Sequence, residues 1–311
     1  MQRRNVIWVT EHIHPDAIAL LAADAEVLGP GPIPDARLND VTALIVRARP
    51  VDESLLASLP MLKVIGKHGA GTDNIDMDAA ERRNLQVFRA EGANAESVAD
   101  LAVLFAMLLL RSPDLHDQAL KHGKSARADI PGGFEVSERR IGILGMGAIG
   151  RAVASRLIDG FSANVSGYDP ALPHGMWPAS VHRHNDVSAL LRETDLLFLH
   201  LPLLPQTRNL IGKAELSALR PGAVMVNCAR GGIVDERALA DALASGQIAA
   251  AASDVFEVEP PAPNNPLLVG SWRFIGTPHI GASTNAGLRR TGMIIGQKVL
   301  DALNAQEGKT V

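Results

Sequence analysis

Short apolar runs alternate with stretches of helical periodicity along this chain. The run at 6–9 is followed by helix-like residues 15–23, the run at 43–46 by 53–58, and the run at 63–65 by 76–83. Further on, strand candidates lie at 141–144, 164–168, 195–200, 223–227, 248–253 and 273–276, and a helix over about 285–303 closes the chain. Runs this short, each followed by a helical segment, predict an α/β fold on mostly parallel sheets. A chain of 311 residues has room for two such domains.

One turn stands out. Gly145-Met-Gly-Ala-Ile-Gly150 fills a G-x-G-x-x-G pattern directly after the apolar run 141–144 and directly before helix-like 151–158. Gly145 suits a tight turn, Gly147 lets backbone approach a pyrophosphate, and Gly150 lets the helix lie close on the sheet. Asp169 ends the next strand candidate, nineteen residues beyond Gly150. Its carboxylate can accept hydrogen bonds from an adenosine ribose and would repel a 2′-phosphate, so the expected cofactor is NAD rather than NADP. In a single dinucleotide domain this turn follows the first strand. Its late arrival assigns roughly the first hundred residues to a different unit. That earlier unit has its own glycine-rich turn, Gly66-Lys-His-Gly-Ala-Gly-Thr-Asp73.

Composition narrows the picture without changing it. With 47% apolar and 21% charged residues and a net charge of −4, the chain reads as a soluble protein with no affinity for nucleic acid or an anionic membrane. Its single cysteine, Cys228, cannot form an internal disulfide, which suits the cytoplasm. The apolar run 101–110 is too short to span a bilayer, which takes about twenty residues. A helix apolar all round is expected to be buried in a core or against a second subunit, and homo-oligomerisation is expected. His174, His182 and His184 lie close in sequence, but no carboxylate or cysteine set completes a ligand shell, so no metal is expected.

Three strand-end turns after the glycine fingerprint carry candidate chemistry. The strand candidate 223–227 runs into Cys228-Ala-Arg-Gly-Gly232, 248–253 runs into Asp254-Val-Phe-Glu-Val-Glu-Pro260, and 273–276 leads to Thr277-Pro-His-Ile-Gly281. Ligands of open α/β sheets bind beyond the carboxyl ends of the strands, so the three turns should face one crevice. Arg230 would hold a carboxylate there, while Glu259 and His279 would supply an acid/base and the group that tunes it.

Taken together, Leu144–Gly150, His200-Leu-Pro-Leu-Leu-Pro-Gln-Thr207, Pro221–Asp235, Asp254–Pro260 and Thr277–Gly281 resemble the D-isomer-specific 2-hydroxyacid dehydrogenases, most nearly the phosphoglycerate dehydrogenase branch. Lys67–Asp76 and Asn94–Asp100 resemble that family's substrate loop and domain-crossing helix, so the likeness runs in order over nearly the whole chain. It implies two Rossmann-like or flavodoxin-like doubly wound parallel-sheet domains with a cleft between them. Residues 1–97 plus 288–311 would form the substrate domain, and 98–287 an inserted NAD-binding domain. The implied reaction moves a hydride between NAD and C2 of a D-2-hydroxy acid. His279 would be the acid/base, Glu259 would fix its tautomer, and Arg230 would hold the substrate carboxylate and C2 oxygen. Arg47, Ala70 and Gly71 are the implied substrate-binding residues of the first domain. Cofactor contacts are implied at Gly145, Gly147, Ala148, Ile149, Gly150, Asp169, His200, Pro202, Thr207, Cys228, Ala229, Asp254 and Gly281, with Asp254 orienting the nicotinamide amide.

Substrate identity stays open on these residues. Arg47, Arg49, Lys67 and His68 all lie near strand ends; converging on the cleft they would favour a second anionic group as in 3-phosphoglycerate, and otherwise they simply face solvent. A glyoxylate, hydroxypyruvate or general 2-keto acid reductase is the alternative, and a non-catalytic NAD-sensing scaffold is the alternative of another class. Leu204 stands where relatives often carry threonine and Asp100 where they usually carry glutamate; neither is expected to touch the chemistry. The C-terminal regulatory domains of longer members are not expected after residue 311.

Overall fold

The computed structural model describes residues 4–124 and 133–306. The chain folds as two compact units: residues up to Ser97 together with those from Ala282, and Val98–Gly281.

The first unit is built on strands β1 (Val6–Val9), β2 (Glu26–Leu28), β3 (Ala43–Val46), β4 (Val64–Lys67) and β5 (Gln86–Arg89). All pair in parallel, in the order β2-β1-β3-β4-β5, the flavodoxin-like arrangement. The inner strands are buried on both faces, which is why β1 and β3 read as unbroken apolar runs rather than alternating ones. Ile7, Val9 and Ile45 face helix α1 (Pro15–Asp24) and the closing helix α11 (Asn285–Gln306), through Leu21, Ile295 and Val299. Trp8, Leu44 and Ile65 face the opposite way, onto α3 (Glu53–Ala57) and α4 (Met77–Arg82); a four-residue helix α2 (Asp35–Leu38) lies earlier in the chain. Asp52 and Asp76 cap α3 and α4 by accepting from the N–H groups of Leu55 and Ala79, each at 2.8 Å.

Helices α5 (Ala95–Arg111) and α6 (Pro113–Lys121) lead into the second unit, whose sheet has seven parallel strands. They are β6 (Ile141–Leu144), β7 (Val165–Tyr168), β8 (His182–Arg183), β9 (Leu196–Leu199), β10 (Ala223–Asn227), β11 (Ile248–Ser253) and β12 (Phe274–Gly276). Their order, β12-β11-β10-β9-β6-β7-β8, is that of a doubly wound dinucleotide-binding sheet. On one face Ile143, Phe198 and Val226 pack against Phe105 of α5 and Val153 and Leu157 of α7 (Ala148–Phe161). On the other, Leu144, Leu199 and Met225 meet α8 (Val187–Glu193), α9 (Lys213–Ala218) and α10 (Glu236–Ala244) through Leu190, Leu216 and Leu239. Burying each such side chain fully stabilises the fold by about 1.5–3 kcal/mol. Both sheets are therefore doubly wound, as expected.

The apolar run 101–110 sits in α5 with Phe105 and Ala106 buried, while Leu104 and Met107 stay exposed at 52% and 39%. Periodicity did not point to β2, β5 or β8. All three are edge strands, short and partly exposed, so they lack the apolar run that marks an inner strand. Among the described residues no helix is long and apolar enough to cross a membrane.

Candidate active site

The order of strands in the second unit reverses between β6 and β9, so their carboxyl ends flank the place where a doubly wound sheet binds its ligand. Gly145 turns the chain there with φ +92°, and a Cβ on it would lie 2.5 Å from the His200 carbonyl oxygen. Gly150 is equally constrained, since its Cβ would fall 2.0 Å from the Gly145 oxygen. Gly147 is different: a Cβ there would meet nothing within 4 Å. The backbone is thus bare beside open space, at the exposed start of α7 formed by Ala148 and Ile149. First-turn N–H groups have no helical acceptor and the helix dipole adds positive potential, so the place suits a pyrophosphate.

Asp169 directly follows β7 and makes several hydrogen bonds of its own. Its Oδ2 accepts from the N–H of Met146 at 2.9 Å, and Oδ1 accepts from Ala171 at 2.9 Å and Leu172 at 3.2 Å. A carboxylate has about four acceptor positions, so capacity for a sugar hydroxyl remains while the same side chain ties the glycine turn to the neighbouring strand. His200, at the end of β9, buries both ring nitrogens with no hydrogen-bond partner among the described residues. Burial pushes its pKa down to about 3, leaving a neutral ring with one donor and one acceptor to offer. The open cradle at Gly147 and this unpartnered ring fit a dinucleotide.

Thr207 and Pro202 bind each other: the threonine hydroxyl donates to the Pro202 carbonyl at 2.6 Å and accepts from the Leu204 N–H at 2.7 Å. Cys228 and Ala229 are buried, and Ala229 N–H donates to Asn227 Oδ1 at 3.0 Å. Burial, with the negative charge of Asp254, pushes the Cys228 thiol well up, so it is no nucleophile.

Adjacent parallel strands β10, β11 and β12 carry the three candidate turns. Asn227 shapes the first, donating through Nδ2 to the Arg230 carbonyl at 3.3 Å, while Arg230 Nη1 donates to the Ala229 carbonyl at 2.7 Å. Glu259 and His279 meet directly, with Nδ1 and Oε2 2.8 Å apart and both side chains partly exposed. Burial alone would raise the Glu259 carboxyl. The His279 hydrogen bond and charge, the Phe256 N–H and the Arg230 charge outweigh that and hold it below its ordinary value. An ionised Glu259 keeps the proton on Nδ1, which leaves Nε2 as the nitrogen for proton transfer.

His279 has φ +54°, a left-handed conformation that costs a non-glycine residue about 1–3 kcal/mol. Asp254, only 3% exposed, holds it there. Its carbonyl accepts from the His279 N–H at 2.8 Å, Oδ1 accepts from the Thr277 hydroxyl at 2.6 Å and from Ile280 at 2.7 Å, and Oδ2 accepts from Gly281 at 2.8 Å. Sequence reasoning read Asp254 and Gly281 as cofactor contacts; the structure shows in addition that Asp254 ties Gly281 and the histidine turn together.

In the first unit, Ala70 and Gly71 lie partly exposed just past β4, and no hydrogen bond takes up their N–H groups among the described residues. The four basic residues there do not act alike. Lys67 is buried, with its ammonium on the Arg47 carbonyl and on Asn74 Oδ1. His68 is buried too, 3.3 Å from the Leu288 carbonyl, and burial beside the Arg47 charge pushes its pKa down to about 4. Arg49 lies over the Trp8 ring, 5.0 Å from its centroid. Arg47 reaches the His12 carbonyl at 3.0 Å and the Ser283 hydroxyl at 3.4 Å.

Residues 103–281 match the family model for the D-isomer specific 2-hydroxyacid dehydrogenase NAD binding domain. The chain belongs to that family. It is 36% identical to the D-3-phosphoglycerate dehydrogenase of Methanocaldococcus jannaschii over 98% of its own length and 59% of that protein's. It is likewise 36% identical to the hydroxypyruvate reductase of Thermotoga maritima, over 86% of each chain. Among solved structures, a glyoxylate reductase from Paecilomyes thermophila superposes with a TM-score of 0.84 at 28% identity, covering 97% of this chain and 96% of that one. The chain spans 49% to 59% of the phosphoglycerate dehydrogenases from Methanocaldococcus jannaschii, Archaeoglobus fulgidus and Mycobacterium bovis.

Of the departures from the family pattern, Asp100 accepts from Arg156 Nε at 2.8 Å and Leu204 is exposed. Sequence reasoning missed Glu11, whose carboxylate grips the turn after β3, and Asn74, which holds the same turn from its carbonyls. Alternation of short runs marks where a turn lies, but not which distant side chain holds it.

Proposed function

We propose that this chain is an NAD-dependent oxidoreductase acting between a D-2-hydroxy acid and its 2-keto acid. The observation that carries the reading is the His279–Glu259 hydrogen bond beside Arg230, on the turns of three adjacent strands. NAD, when bound at the glycine turn, supplies the nicotinamide that accepts the hydride from C2. His279 Nε2 takes the C2 hydroxyl proton, and Glu259 holds the ring so that this nitrogen is the base. Arg230 pairs with the substrate carboxylate and C2 oxygen through its two-pronged donor set. In the first unit, Ala70 and Gly71 offer N–H groups for binding a substrate anion.

The preferred substrate is an acid of the 3-phosphoglycerate kind, with Arg47 binding the second anionic group. A hydroxypyruvate or glyoxylate reductase is the second reading. It draws support from Lys67, His68 and Arg49, which are engaged inside the unit or on Trp8, and from the even coverage of the Thermotoga relative. A homodimer through the exposed Leu104 and Met107 of α5 and a cytoplasmic location complete the proposal.

NADH oxidation against 3-phosphohydroxypyruvate, hydroxypyruvate and glyoxylate tests it. Preference for the phosphorylated acid supports the first reading and preference for the smaller acids the second. No turnover with intact NADH binding points to the sensing scaffold.

A further inference from the structure

The first unit also reverses its strand order, between β1 and β3, and Glu11 stands at that point. Its Oε2 accepts from the Arg47 N–H at 2.7 Å and from the Thr10 hydroxyl at 2.6 Å. Its Oε1 accepts from the N–H groups of Ala48 at 2.6 Å and Arg49 at 2.9 Å. Successive N–H groups turned to one side form an anion-binding concavity, and here an internal carboxylate fills it. The carbonyls of the same turn are held separately: Lys67 donates to Arg47, and Asn74 Nδ2 donates to Arg49 at 2.6 Å. Burial would raise the Glu11 carboxyl, but these donors together hold it below its ordinary value, so it is ionised at neutral pH. The Arg47 side chain leaves this fixed turn toward two neutral acceptors, His12 and Ser283, and no carboxylate among the described residues pairs with it.

We propose that Glu11 is a positioning residue for substrate choice: by holding the 47–49 turn it aims the Arg47 guanidinium at the second anionic group of the acid. This rests on the reading of Arg47 as a substrate-binding residue. Glutamine at position 11 is nearly isosteric but would present an amide N–H to at least one backbone N–H, breaking the grip. Aspartate keeps the charge on a shorter stem.

The test compares KM and kcat for 3-phosphohydroxypyruvate and hydroxypyruvate in the unmodified protein, Glu11→Gln, Glu11→Asp and Arg47→Ala. Losing hydrogen bonds to a charged group should raise KM for the phosphorylated acid on the order of tenfold in Glu11→Gln. kcat, and both constants for hydroxypyruvate, should hold within about twofold, with Glu11→Asp recovering part of the loss. Amide exchange at Ala48 and Arg49 should quicken while the strands stay protected. Equal loss with both acids, or no loss, overturns the role of Glu11 if Arg47→Ala still selectively weakens the phosphorylated acid. If Arg47→Ala leaves the preference unchanged, or the unmodified protein has none, the Arg47 reading fails and the proposal with it.

Discussion

In the second unit, the turn at the strand reversal carries Gly147, beside which a side chain would meet nothing within 4 Å. In the first unit, the corresponding place holds the Glu11 carboxylate, seated on the N–H groups of Arg47, Ala48 and Arg49. Both sheets are parallel and doubly wound, and both direct backbone donors to the carboxyl ends of their strands. One leaves those donors for a ligand; the other satisfies them from within. Topology creates the opportunity for binding, and the residues at the strand ends decide whether it is used. The same contrast runs through the charged groups. Glu259 and His279 are partly exposed on their turns, whereas Lys67 and His68 are buried in the first unit.

If the second unit carries the chemistry, the largest effect short of removing His279 itself should come from Arg230→Lys. A point charge cannot replace the planar fork, and kcat/KM should fall about 10²–10³-fold in steady-state assays while NADH still binds. Asp254→Asn comes next. It turns an N–H toward donors of the histidine turn, and misplacing the base should lower kcat by up to about 10²-fold. NADH affinity measured alongside separates this from a nicotinamide contact, which would weaken binding instead. Asp169→Ser should reduce the preference for NADH over NADPH on the order of tenfold, because the carboxylate no longer repels a 2′-phosphate.

The smallest expected effect concerns both units alike. His68 and His200 have folded pKa values of about 4 and about 3, below the ordinary 6.5. Each therefore contributes stability that is full above pH 6.5 and lost as pH falls toward the folded value. Between pH 7 and 5.5 each should contribute a loss of about 1 kcal/mol, readable from urea midpoints. A stability that rises on acidification over that range would contradict the burial of these rings.

Much of this was legible in the sequence, for a physical reason. Inner strands buried on both faces must be apolar throughout, so β1, β3, β6, β10 and β11 announce themselves. The glycine turn was equally plain, since Gly145 and Gly150 each sit where a Cβ would collide with backbone. The hidden part was long-range. Glu11 acts on residues 36 to 38 positions away, and no local pattern records that. Asp169 and Asp254 were visible as acids at strand ends, but their grip on Met146 and on the turn around His279 depends on how neighbouring strands align. Lys67 looked like a substrate cation because its β4 position gave no hint of the Arg47 carbonyl above it.

The claim that His279 and Glu259 work as one acid/base unit is tested most directly by a double-mutant cycle on kcat. His279→Ala should lower kcat by about 10²–10⁴-fold, and Glu259→Gln by a smaller factor. If Glu259 acts only through the imidazole, adding Glu259→Gln to His279→Ala should change kcat by less than about twofold. A full additional loss in the double variant would contradict the account and give Glu259 a role of its own.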